Sequence, residues 1–418
     1  MHNKNQSLLQ GVETASKLYI PKASSRPGQQ SEHETLAIPP AGILPKPPLD
    51  VEAREISDMA YGLIRVLDDE GKACGAWDPE IDPDTLREGL RHMMHIEAYD
   101  DRMFRMQRQG QISFYIKSSG EEAIAVAQAM ALNYEDMVFP SYRQQGILFV
   151  RKRPVVDMMC HCISNSRDNL KGRQMPTFYS WKEGNYFSIS GNLATQYSQA
   201  VGWAMASAYK GEDHIACSWV GDGSTAEADV YHALLFASTY KAPVILNVVN
   251  NQWAISTPQS FAAAGTTFAA RGIGFNIPSL RVDGNDFLAV YAVTKWAAER
   301  ARKGYGATFI ELFTYRVAAH STSDNPDAYR AKDEAKSWPL GHPIDRLKQH
   351  LIHSGEWREE QHQAQQKELE ESITADWKEA LSYGTLENGP HWPVHSIFED
   401  VFKEMPDHLR KQRQQMGV

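Results

Sequence analysis

HIACSWVGDGSTAEADVYHALLFASTYKAPVILNVVNN, residues 214–251, decides how the rest of the chain is read. It opens on an apolar run, His214 to Val220, which stops at Gly221-Asp222-Gly223. A helical stretch, Ala226 to Lys241, follows. A second apolar run, Pro243 to Asn250, then ends in Asn250-Asn251. Short apolar runs bounded by turn residues and separated by a helix predict a parallel strand–helix–strand unit. Such a unit sets Asp222 and Asn251 at the carboxyl ends of adjacent strands, where α/β sheets bind their ligands. Ser224 and Glu227 have the spacing of a capping box, which predicts a helix N-terminus, with its free N–H groups, beside that edge.

The residue types at these tips suit Mg²⁺ and a diphosphate. Mg²⁺ takes hard oxygen ligands in octahedral geometry and commonly shares them with phosphates. Asp222 offers a carboxylate oxygen, Asn251 an amide oxygen, and Trp253 a backbone carbonyl if the chain turns after the strand. Gly221 and Gly223 let the backbone approach the anion closely. Gly-Asp-Gly alone is a weak signal. Its weight comes from the flanking strands, the capping residues and the terminal asparagine pair.

Outward from this unit the pattern repeats. Helices are expected over Glu121 to Leu132, Asn192 to Lys210 and Asp286 to Lys303, and a strand over Thr308 to Phe313. The fold class predicted is α/β, three layers with a central, mostly parallel sheet. Residues 1–50, rich in Ser, Gln and Pro, read as an extended arm, since Pro39, Pro40, Pro45, Pro47 and Pro48 forbid a regular helix. Residues 51–340 read as the binding domain and 341–418 as a charged helical segment whose polar face meets solvent or a partner.

The chain has 418 residues, 42% of them hydrophobic and 23% charged, which allows a sizeable core. A net charge of −9 without a basic run disfavours nucleic acid. No apolar run reaches the roughly 18 residues of a membrane helix. The chain opens without an apolar signal region, and four cysteines make no disulfide framework, so a cytoplasmic setting is expected. Cys160-His161-Cys162 lacks partners at metal-ligand spacing and reads as a buried segment.

Gly221 to Asn251 resembles the thiamine diphosphate motif, and Ala254-Ile255-Ser256-Thr257 resembles the alpha subunit of branched-chain 2-oxo acid dehydrogenases. The similarity runs from about Gln107 through Tyr329. Ile112 to Tyr115, Gly120-Glu121-Glu122, Ser141-Tyr142-Arg143, Leu193 to Gln196 and His320 to Asp324 stand in the family's order.

The resemblance implies further roles. Tyr142, Arg143, Gly191 and Ile255 join the tip residues around the cofactor, with Arg143 and His320 on its diphosphate and His320 also catalytic. Leu193 supports the cofactor's bent shape, and Phe114 and Tyr142 line the acyl pocket. Ser190, Asn192, Thr195 and Gln196 match a loop that holds a monovalent cation, K⁺, although Asn192 replaces the family's proline. Ser321 matches a phosphorylated serine, in a loop that orders when cofactor binds. Val249 replaces an arginine that reaches the phosphates, and Ser141 replaces a glutamine near the reacting carbon.

The activity implied is oxidative decarboxylation of a small 2-oxo acid, with acyl transfer to the lipoyl group of an acyltransferase component. No carboxylate suited to the cofactor's pyrimidine ring stands out in the chain. The resemblance implies a beta subunit that completes an α₂β₂ assembly and brings it. The rival readings are a pyruvate or acetoin dehydrogenase alpha subunit and a scaffold subunit that has lost the cofactor. Intact Asp222, Asn251, Arg143 and His320 count against the scaffold.

Overall fold

The computed structural model describes residues 26–29, 33 and 36–418. Its framework, in chain order, is α1 (Pro83–Arg108), α2 (Glu122–Ala131), β1 (Met137–Phe139), α3 (Val155–Ile163), α4 (Thr195–Tyr209), β2 (Ala216–Gly221), α5 (Ala228–Thr239), β3 (Val244–Asn250), β4 (Ser279–Asp283), α6 (Phe287–Arg302), β5 (Thr308–Phe313), α7 (Pro343–His353), α8 (Glu359–Ser382) and α9 (Asp407–Met416). The five strands form one sheet in the order β1-β2-β3-β5-β4, parallel throughout.

Strand alternation divides the interior into two cores. Cys217, Trp219, Ile245 and Val249 face one side with Ile124, Phe287, Val290 and Val293. Ala216, Val220, Val244, Leu246 and Val248 face the other with Tyr197, Val201, Val230 and Leu234. Helices cover both faces, so both sets of side chains leave water and the strands read as continuous apolar runs. Asn247 interrupts β3, and its amide is satisfied inside the core. It accepts from Gln128 Nε2 at 2.8 Å and donates to Ser218 O at 2.9 Å.

The register sets the two tips side by side. Gly221 lies opposite Val249, Asp222 N–H donates to Val249 O at 3.1 Å, and Thr314 N–H donates to Asn250 O at 2.9 Å. The α5 boundary corrects one expectation. A 3₁₀ turn, Gly223–Ala226, precedes the helix, and Glu227 is its N-cap residue without a side-chain cap hydrogen bond. The Ser224–Glu227 capping box does not form. The Asp222 carboxylate takes the Gly223 N–H at 2.8 Å, and Thr225 Oγ1 donates to Asp222 O at 2.5 Å.

Part of the expected arm lies outside the described residues. From residue 36 onward it is pinned to the body: Pro39, Pro45 and Pro47 carbonyls accept from Arg65, Trp77 and Trp296 at 2.8, 3.1 and 2.9 Å. At the other end, α8 buries a narrow stripe of Leu369, Ile373, Trp377 and Ala380 and packs on α1 and α3. Its remaining faces are polar. Cys160 and Cys162 are buried in α3, and both His161 ring nitrogens are engaged, with Asp168 at 3.1 Å and Met175 O at 3.0 Å. No helix among the described residues is long and apolar enough to cross a membrane.

Candidate active site

A cleft opens over the carboxyl ends of β2 and β3. Glu121, Ser141, Tyr142, Arg143, Gln144, Ser190, Asn192, Leu193, Gln196, Gly221, Ser224, Val249 and Asn251 line it. Sequence reading named most of these. Both family departures, Ser141 and Val249, also lie on its wall. Asp222 sits beneath, buried. Phe114, Gly191, Gly223, Thr195, Trp253, Ile255 and His320 are not among the lining residues.

Asp222 is the electrostatic centre. It is 3% exposed, and its Oδ2 is buried with no hydrogen-bond partner. Burial pushes its carboxyl up to about 7; the Gly223 N–H and Arg316 oppose that rise, and Glu121 adds to it. A buried, unsatisfied carboxylate oxygen is costly, and a cation with room beside it would remove the cost. Gly221 provides open space, since a Cβ there would meet nothing within 4 Å. At Gly223 a Cβ would come within 2.5 Å of Ala254 Cβ, so glycine lets the following hairpin close over the turn.

That hairpin pairs Trp253-Ala254 with Thr257-Pro258. It turns sharply because Gln252 (φ 72°) and Ile255 (φ 56°) adopt the left-handed region, which is unfavourable for a β-branched residue. Arg316 holds the strained turn. It donates to Trp253 O at 2.9 Å, to Ile255 O at 2.8 Å and to Tyr329 Oη at 2.7 Å. Burial, with Arg143 nearby, lowers Arg316 to about 10. One lone pair of the Trp253 carbonyl is thus used and one is left.

Arg143 joins the cleft to the loop after β5. One guanidinium nitrogen donates to His320 O at 2.7 Å and lies 3.1 Å from His320 Nδ1. Because arginine only donates, Nδ1 must accept, which leaves the proton on Nε2. Burial and the two arginines drop His320 to about 3, so the ring is a neutral N–H donor at pH 7. Its backbone N–H is held by Asp324 at 2.7 Å. Thr322 fastens the loop to Tyr115 through a pair of 3.0 Å hydrogen bonds. Ser321 is buried and its Oγ accepts from Ser323 N–H at 3.2 Å.

The loop before α4 closes on itself, with Asn192 N–H on Ser190 Oγ and Thr195 Oγ1 on Asn192 O, both at 3.1 Å. Gln196 Nε2 donates to Trp219 O at 2.7 Å. Helix α4 starts there from Ala194 (φ 64°) with no side-chain cap. Helix α4 thus starts without a side-chain cap, as α5 does. Leu193 and Ile255 stay 46% and 53% exposed, two apolar side chains awaiting cover.

Sequence reading missed Glu121 and Arg316 as site residues. Glu121 is 2% exposed, accepts from Asn251 Nδ2 at 2.7 Å and lies 3.7 Å from Arg143 Nε. The Gly120-Glu121-Glu122 run was the available signal: two acids behind a glycine at a helix start. Gly120 itself has φ +95°, and a Cβ on it would fall 2.2 Å from Tyr315 O. Gly120→Ala is expected to cost about 2–3 kcal/mol through strain and clash. A thermal melt of the variant checks it; an unchanged melting temperature would contradict the crowding described.

Comparison with known proteins agrees with the geometry. Residues 90–388 match the dehydrogenase E1 component family, and residues 14–54 match the 2-oxoisovalerate dehydrogenase E1 alpha subunit N-terminal family. The chain is 56% identical over 403 residues to the 2-oxoisovalerate dehydrogenase subunit alpha of Pseudomonas aeruginosa, covering 96% of this chain and 98% of that one. It is 39% identical over 357 residues to the mitochondrial subunit of Homo sapiens, covering 85% and 79%. With subunit alpha 1 of Arabidopsis thaliana the identity is 36% over 362 residues, covering 86% and 75%. Sheet, cleft and sequence together show that the chain belongs to the dehydrogenase E1 component family, which uses thiamine diphosphate, as a 2-oxoisovalerate dehydrogenase alpha subunit.

Proposed function

We propose that this chain is the diphosphate- and metal-holding half of an α₂β₂ enzyme that oxidatively decarboxylates branched-chain 2-oxo acids, 3-methyl-2-oxobutanoate among them, and passes the acyl group to the lipoyl arm of an acyltransferase. One observation carries the metal part: the buried, unpartnered Oδ2 of Asp222 at the strand tip next to Asn251. Asp222, Asn251 and the Trp253 carbonyl would hold Mg²⁺. Among the described residues no three His, Cys, Asp or Glu gather to hold a metal, so the ion would depend on diphosphate oxygens for the rest of its shell. Arg143 and the His320 N–H would bind those oxygens, assisted by Tyr142, Gly221 and Ser224.

When bound, thiamine diphosphate supplies the carbanion that adds to the oxo group and the electron sink that lets carbon dioxide leave. The chain's own residues anchor, orient and desolvate. Leu193 and Ile255 would press on the cofactor with Gly191 and Gly223 giving way to it, and Phe114 and Tyr142 would flank the acyl group. A neutral His320 has one N–H, at Nε2, and it would either hold a diphosphate oxygen or steer a proton. Val249 leaves the diphosphate with one positive contact fewer than in the animal enzyme.

The cavity at the cleft is about 30 Å³, far below the roughly 300–1,000 Å³ of a small-molecule site, which supports a second chain completing it. An outward row on α5 and just beyond it (Tyr231, Leu235, Phe236, Tyr240) is 39–60% exposed, which supports a covering partner. A beta subunit would be that partner. Ser190, Asn192, Thr195 and Gln196 would take K⁺ through oxygen atoms. Ser321 would be a phosphoacceptor, and because it is buried the loop must open first; a phosphate beside Asp324 would then repel the diphosphate. Four unpaired cysteines fit a reducing, cytoplasmic compartment.

The isolated chain is expected to show no decarboxylation, and activity is expected on adding the beta subunit. The assembled enzyme should prefer 3-methyl-2-oxobutanoate over pyruvate in kcat/KM. Turnover by the chain alone would remove the half-site reading, and a large preference for pyruvate would remove the substrate.

A further inference from the structure

Glu121 occupies the N-cap position of α2, yet its side chain makes no cap hydrogen bond. It is instead buried at 2% exposure, where an anion is costly, and is turned toward the strand tips. There Oε1 accepts from Asn251 Nδ2 at 2.7 Å, a contact spanning 130 residues of sequence. The same oxygen lies 3.7 Å from Arg143 Nε.

An asparagine amide has two ends that differ only in chemistry. One donates and one accepts, and a half-turn about the last side-chain bond exchanges them. Only the oxygen end can ligate Mg²⁺. An ionised carboxylate accepts and never donates, so beside the Arg143 guanidinium Glu121 holds the Nδ2 end. Asn251 Oδ1 is then left with the Trp253 N–H at 3.3 Å, a long contact at the edge of hydrogen bonding.

We propose that Glu121 is the positioning residue of the metal site: it locks the Asn251 amide with oxygen toward the cation, and by sharing Oε1 with Arg143 it ties the metal-binding tip to the diphosphate-binding arginine. This rests on the metal reading given above. Groups that orient metal ligands typically contribute about 10–100-fold to metal affinity.

The test uses the assembled αβ complex with thiamine diphosphate and Mn²⁺ in place of Mg²⁺, reading free Mn²⁺ by electron paramagnetic resonance. Glu121→Ala is expected to raise the Mn²⁺ Kd by about 10–100-fold, and Glu121→Gln, which keeps an acceptor, by much less. Glu121→Gln with Asn251→Asp reverses the polarity of the pair and should bind Mn²⁺ more tightly than Asn251→Asp alone, where two carboxylates face each other. That comparison stands even if Glu121→Ala fails to assemble. Asp222→Asn serves as the control on the site itself. Loss of Mn²⁺ binding in Asp222→Asn together with parental binding in Glu121→Ala would overturn the positioning role alone. Parental binding in Asp222→Asn would overturn the metal site and this role with it.

Discussion

Asp222→Asn is expected to abolish metal-dependent binding of thiamine diphosphate by the assembled enzyme and to lower its activity by about 10³-fold or more, since a metal clamp is worth several kcal/mol and each 1.4 kcal/mol is tenfold. The same substitution is expected to stabilise the metal-free protein. The reason is linkage. The Asp222 carboxyl titrates near 7 in the fold, raised by burial from the ordinary 3.8. Between those values the folded state holds a proton that the unfolded state has released, so stability falls as pH rises through that window and stays low above it. About three pKa units correspond to at most roughly 4 kcal/mol. Asn removes the penalty. Its gain in melting temperature without metal should be full at pH 8.5 and should fade toward pH 4. A gain equal at both ends, or a loss, would contradict the buried, unpaired state of Oδ2. Stability is here set against function, as is common where a site keeps a group ready for a ligand.

Glu311→Ala is the second large effect. Glu311 stands in the middle of β5, fully buried, with every lone pair accounted for by a donor nearby. Oε1 accepts from Asn250 Nδ2 at 2.8 Å and from Arg281 Nε at 3.3 Å. Oε2 accepts from the Phe268 and Ala269 N–H groups at 2.7 and 2.9 Å. Removing it strands an arginine charge and three N–H donors, a loss of about 3–5 kcal/mol. At roughly 2 °C per kcal/mol for a large domain, the melting temperature should fall on the order of 5–10 °C. Glu311→Gln should fall between, because its amide nitrogen opposes one pair of donors while its oxygen satisfies the other. Since Asn250 adjoins Asn251, cofactor affinity should weaken in the same order. Equal melting of Glu311→Ala and the parent would show that the network carries no weight.

Much of the α/β fold was legible because parallel strands buried on both faces leave a strong local record. Val244–Asn250 is apolar except at Asn247, which finds partners inside, and at its last residue, and the turn residues around it stop the strand cleanly. The strand–helix–strand spacing around Asp222 also put Asn251 within one strand of it. The end of that logic shows at Ser224 and Glu227. Their spacing suited a capping box, but the Glu227 N–H goes to Ser224 O inside a 3₁₀ turn and Glu227 itself becomes the N-cap of α5. Local spacing names the groups that can compete for a donor and does not rank them.

What the sequence by itself determined was the alternation of elements, the two strand tips and the residues on them, because each is dictated by periodicity and turn chemistry within some tens of residues. What only the tertiary structure decided was the placing of β5 between β3 and β4, the capture of Asn251 by Glu121, the bracing of the 252–255 turn by Arg316, and the lone oxygen of Asp222. These depend on burial and on pairings between residues 30 to 130 apart, and neither the cost of removing a charge from water nor the donor that repays it is written in the neighbourhood of the residue concerned.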